Sequence, residues 1–167
     1  MMRWARDFLA MARHAVLQLR AIDSTVDAMR DALMLQAQRY SDAPRGSADL
    51  DPQAAIDAYI DAQAQAEAAR VPLQEVVDDA LEVLYGPHMR AGVARMLGAT
   101  YADVLNQRWL QLRTWAAIAA DMGVTTRWAQ ECGRVALEWM DETGESHIRA
   151  FNAGEEEFYE SMRMEGR

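Results

Sequence analysis

Lysine is absent from this chain and cysteine occurs once. All 17 basic residues are arginine, which a bias toward GC-rich codons explains without a functional cause. The lone Cys132 excludes an internal disulfide and a cysteine-cluster zinc site. No stretch approaches the roughly eighteen uninterrupted apolar residues of a membrane-spanning helix. Arg and Asp break the apolar run of the N-terminal MMRWARDFLAMARH, so a secretion signal is not expected. A soluble, cytoplasmic protein with no membrane partner follows as the expectation.

Chemistry is sparse as well. No Gly-rich phosphate loop is present. Ser24, Ser41 and Ser161 have no neighbouring base. Asp78 and Asp79 are adjacent and so point to different sides of a helix. An all-helical nucleotide pyrophosphatase would need Glu-x-x-Glu pairs on facing helices, and four inward acids cannot be assembled here. His14, His88 and His147 are far apart and lack acidic or Cys partners at ligand spacing. The expectation is therefore a protein that is not an enzyme, with no catalytic residues, no metal site and no cofactor.

The 167 residues are 51% hydrophobic, enough for one compact domain or two small ones. Net charge is -9, against the simplest expectation for a nucleic-acid binder. The charge is uneven. Residues 1–50 carry 7 Arg against 6 acids, residues 51–100 carry 3 against 8, residues 101–141 carry 4 against 5, and residues 142–167 carry 3 against 7. The acid therefore concentrates in 51–100 and in the tail, and the stretch 101–141 is nearly neutral.

Residues 3–40 recur in a heptad-like seam: Trp4, Phe8, Met11, Ala15, Leu19, Ile22, Val26, Met29, Leu33 and Tyr40. Such a helix is roughly 55 Å long and needs a second helix of similar length beside it. The Ser, Asp, Pro and Gly of 41–52 read as a turn, with Asp51 as N-cap and Pro52 at the first helical position. A second stripe follows through Ile56, Tyr59, Gln63, Ala66, Arg70, Leu73, Val77, Ala80 and Leu84, with Pro72 expected to kink or split the helix. The two helices predict an antiparallel hairpin. Tyr85-Gly86-Pro87 ends it, a short helix over about 88–97 follows, and another runs from about Thr100 to Leu112. No strand and no internal repeat is expected.

The segment from Thr114 to Met140 reads as a helix-turn-helix. Thr114 caps the first helix, whose inward face is Trp115, Ile118, Ala119 and Met122. Gly123 takes the left-handed turn position and Val124 plugs the turn. Thr125 caps the second helix, which returns Ala129, Cys132, Ala136 and Met140 to the core. Arg127, Gln130, Glu131 and Arg134 face outward. The expected fold is all-α: a long N-terminal antiparallel helical hairpin over 1–86 for oligomerisation, a three-helix sigma-like helix-turn-helix domain over 87–141, and an acidic tail over 142–167. Phe151, Phe158 and Met162 would share a face if the tail forms a helix.

The Trp115-x-x-Ile118-Ala119 core, Gly123-Val124-Thr125 and Ala136-Leu137 resemble the fourth conserved region of bacterial sigma factors. A wider resemblance, over about residues 5–141, is to a phage and prophage family of Gram-positive bacteria with a coiled-coil-like N-terminal half and a sigma-like domain. Its Arg-Tyr-Leu and Lys-Thr-Trp positions read here as Arg108-Trp109-Leu110 and Arg113-Thr114-Trp115. The early hairpin and the Ser41-Asp42 turn fit the same pattern. This resemblance implies control of late phage genes, similar to RinA-type and ArpU-like late transcriptional regulators. The chain departs from the pattern in setting Arg127 and Arg134 against Glu131 and Glu138, in Trp128 at a position often charged, and in Gly133 inside a helix, at roughly 0.5–1 kcal/mol relative to Ala.

If the motif binds DNA, its second helix enters the major groove, with Arg127 pairing guanine and Gln130 pairing adenine. Arg108, Arg113 and Arg134 would hold phosphates, aided by backbone amides at Thr114 and Thr125, with Thr126 and Glu131 on the same surface. Three to five such contacts give a monomer affinity of roughly 10⁻⁴–10⁻⁶ M. Specific binding then needs a homodimer, formed through residues 4–84, or RNA polymerase. The alternative is a module that contacts protein, either polymerase or a packaging component. Trp128 is open to two readings, as a stacking residue or as part of a packed stripe with Cys132, Val135 and Trp139. Cys132 is read as core, and Glu155-Glu156-Glu157 as a solvated tail.

Overall fold

The computed structural model describes residues 4–42 and 52–165. Every regular element among them is helical, so the chain is all-α. The helices are α1 (Trp4–Asp42), α2 (Pro52–Tyr85), α3 (Gly92–Met96), α4 (Ala99–Leu105), α5 (Trp115–Met122), α6 (Thr126–Thr143) and α7 (Glu145–Glu165). A 3-10 turn, Pro87–Met89, precedes α3, and a π turn, Asn106–Leu110, extends α4. No helix of the described residues is long and apolar enough to cross a membrane. Asp51 and most of the expected 41–52 turn lie outside the described residues, whereas Ser41 and Asp42 belong to α1 rather than to a turn.

Two compact units form, and their limits differ from those expected at 86 and 141. One is a hairpin unit of residues 16–74, and the other joins residues 1–15 to 75–167. The difference has a physical cause in the larger unit. The Trp4 indole N–H donates to the Met140 carbonyl at 3.0 Å, and the Ala5 amide donates to Asp141 Oδ1 at 2.9 Å. Leu9 of α1, Val83 and Leu84 of α2 and Ile148 of α7 are fully buried, as are Val93 and Met140. The first turns of α1, the end of α2 and the tail thus belong to one compact unit with the helix-turn-helix.

In the hairpin unit the expected α1 seam is present in part: Leu19, Ile22, Val26 and Leu33 are half-buried, whereas Met29 is exposed. On α2 the inward stripe runs through Ala55, Tyr59, Ala62 and Ala66, while Ile56 and Gln63 are exposed. Tyr59 and Ala66 lie inward as expected, but Ala55 and Ala62 replace Ile56 and Gln63, and at the second of these Ala62 can be buried without cost whereas Gln63 would need hydrogen-bond partners. Arg70 is half-buried and donates to Asp23 at 2.6 Å and to Glu67 at 2.9 Å. The Asp23–Arg70 pair fixes the antiparallel register. Of the kink or split expected at Pro72, the split does not occur: α2 runs through it. Pro72 is exposed, so its ring presses on the solvent side and only one i→i−4 bond is missing in a long helix.

The tail is a helix, α7, anchored by Ile148 and Asn152. Phe158, expected on its apolar face, is exposed instead.

Candidate nucleic-acid interface

Helices α4, α5 and α6 build the expected three-helix module. Val104 of α4, Ile118 and Ala119 of α5, and Ala129 and Cys132 of α6 form one buried cluster, with Tyr101, Trp115, Met122 and Val124 packed against it. The Thr114 hydroxyl accepts from the Ala117 amide and the Thr125 hydroxyl accepts from the Trp128 amide, both at 3.2 Å. Each cap satisfies one of the free N–H groups at a helix start. Gly123 closes α5 with φ 67° and ψ 32°, the left-handed turn read from the sequence.

Gly133 has a reason the sequence alone did not supply. A Cβ there would meet the outer edge of the Trp115 ring at 2.7 Å. The glycine lets α5 lay its indole across α6, and the Arg108 guanidinium sits 5.0 Å from the centroid of the same ring. Cys132 is buried, and burial followed by the charge of Glu131 pushes its thiol pKa up, as suits an inert core residue.

The nine residues expected at a DNA surface divide into two groups. Thr125, Thr126, Arg127 and Gln130 are exposed together at the start of α6. Arg127 makes no hydrogen bond or ion pair among the described residues. Trp128, beside them, is 41% exposed, so it is neither fully packed nor fully free.

The remaining cations are engaged inside the module. Arg134 donates to Glu131 and to Glu138, one turn away on either side. The Arg134 hydrogen bond holds the Glu131 carboxyl below its usual range, with the charges of Arg134 and Arg127 adding to the effect. Arg113 donates to Gln107 at 2.6 Å and to Asp121 at 2.9 Å. Arg108 donates to the Arg113 carbonyl at 2.9 Å, and its own carbonyl lies 3.5 Å from Arg13. Both arginines are half-buried; Arg108 lies within the π turn and Arg113 follows it, next to Thr114. In that turn the Gln111 amide reaches back five residues to Asn106 at 3.0 Å.

Two pairings went unread in the sequence. The contact of Glu138 with Arg134 was available from its i,i+4 spacing. The contact of Asp121 with Arg113 was not, because it closes around the turn between two elements.

A second polar cluster sits behind the module. The Tyr85 hydroxyl donates to Asp103 at 2.7 Å and accepts from Asn106 Nδ2 at 3.2 Å. Burial first, and the Asp103 hydrogen bond second, push the Tyr85 pKa up, so the hydroxyl keeps its proton. The cluster ties the end of α2 to α4 and the π turn. No protein family, curated protein or solved structure matches the chain.

Proposed function

We propose that this protein is a transcriptional regulator of phage or prophage type, working in the cytoplasm, that places α6 in the major groove of DNA. The observation that carries this reading is the pairing of a buried inner face on α6 with the exposed Thr126, Arg127 and Gln130 at its start. That end of the helix is the one a helix-turn-helix presents to base edges. The resemblance to sigma region four and to RinA-type regulators supports the same reading.

Because Arg108, Arg113 and Arg134 are tied to neighbouring groups, phosphate contacts per copy are few. Affinity then depends on a second copy or on polymerase supplying further contacts. Replacing Arg127 by alanine should weaken specific DNA binding about ten- to hundredfold while the fold stays intact. Fluorescence anisotropy with a labelled operator fragment, across a salt series, reads this directly. Salt-independent binding, or no binding by the wild-type protein at low salt, would overturn the DNA reading.

The second reading is a module that contacts protein, with polymerase or a phage packaging component as partner. The double ion pair of Arg134 and the half-exposed Trp128 favour it. The two readings part over one variant. Substituting both Glu131→Gln and Glu138→Gln releases Arg134, and on the DNA reading it adds about one phosphate contact. The slope of log affinity against log salt should then steepen by about one. An unchanged slope would place the α6 face away from the phosphates.

A further inference from the structure

The hairpin unit has almost no interior of its own: among its described residues Ala66 alone is buried. Its surface is divided. On one flank lie Asp23, Asp27 and Arg30 of α1, with Glu67 and Arg70 of α2, joined in ion pairs. The other flank holds an open apolar groove of about 400 Å³ between the helices. Thr25 and Met29 of α1 line it opposite Ala62, Gln65 and Ala69 of α2, and no lining residue is charged.

We propose that this uncharged flank is the surface on which a second copy of the chain docks, forming a four-helix bundle from two hairpins. Three physical points select that occupant. In a two-fold dimer the same patch faces itself, so a patch of one sign repels its copy whereas a neutral patch does not. The chain carries a net charge of -9, and the groove is a surface where two copies can meet without setting acid against acid. A basic or acidic partner would gain nothing from a groove without charge.

Size agrees. The described helices of the hairpin run about 40 Å and about 35 Å and lie about 10 Å apart. With each helix about 10 Å across, the flank that holds the groove is about 35 Å long and about 20 Å wide and offers about 700 Å², so two copies together cover about 1,400 Å², within the roughly 1,200–2,000 Å² of a standard stable interface. Such a dimer forms whether or not α6 binds DNA, so its failure and the failure of the DNA reading are separate results.

Sedimentation velocity of the full chain at tens of micromolar tests it. The wild-type protein should sediment as a dimer. The exposed pair Thr25→Arg and Gln65→Arg sets like charges across the two-fold axis and should weaken dimerisation at least about a hundredfold, leaving a monomer of unchanged helicity. Gln63→Arg, on the charged flank, should leave the dimer intact. A monomeric wild type, a dimer that survives the double substitution, or a dimer lost equally with Gln63→Arg would each overturn the assignment.

Discussion

Replacing Gly92 by alanine is expected to lower the stability of the larger unit by about 4 kcal/mol or more. Two costs combine. Gly92 has φ 63°, a left-handed backbone that a Cβ disfavours by roughly 1–2 kcal/mol. The added carbon would also lie 2.6 Å from the Val83 carbonyl oxygen, 2.7 Å from the Leu84 carbonyl carbon and 2.8 Å from the Gly86 nitrogen. All three are backbone atoms at the end of α2, which no rotamer change can move aside. For a unit of this size the loss corresponds to a fall in Tm of roughly 16 °C, which thermal unfolding followed by circular dichroism measures. A fall under about 3 °C would mean that the junction between α2 and α3 relaxes freely.

Replacing Asn152 by alanine should cost about 3 kcal/mol, since an orphaned buried donor alone costs about 1–3 kcal/mol and the lost amide leaves a void. Asn152 is 3% exposed. Its Oδ1 accepts from the Gly92 amide at 2.7 Å, and its Nδ2 donates to the Glu82 carbonyl at 2.8 Å. After truncation the Glu82 carbonyl still accepts from the Gly86 amide at 2.7 Å, but the Gly92 N–H has lost its acceptor. The penalty is therefore one-sided and falls on the donor. Asn152→Asp separates the two roles: it keeps an acceptor for Gly92 but sets an anion against the Glu82 carbonyl. It should destabilise at neutral pH and recover as acid protonates the carboxyl. Urea unfolding of both variants at two pH values checks this. Equal stability of wild type and Asn152→Ala would remove the asparagine from any structural role.

Gly92 and Asn152 also mark where reading the chain alone runs out. They are sixty residues apart and meet only because α7 folds back beside the α2–α3 junction. Neither belongs to a periodic pattern, and the tail around Asn152 is rich in acids that suggest a solvated end. Gly133 is similar. Along the helix it is a weak point, and across the helix it is the space that the Trp115 ring occupies. The candidate interface was legible in part. Arg127 and Gln130 stand exposed at the positions the motif assigns them. Which arginines remain available was not legible, because the partners of Arg108 and Arg113 are a carbonyl, an aromatic face and a carboxylate brought in by the turns.

The chain by itself determined its helical class, its two Thr caps, the Gly123 turn and the buried face of the motif. These follow from spacing within one or two helical turns, where neighbours in sequence are neighbours in space. Tertiary structure alone decided that the first turns of α1 join the helix-turn-helix and that Asn152 of the tail meets the Gly92 amide. Those outcomes depend on contacts between residues tens of positions apart, and local periodicity carries no information about which distant partner arrives.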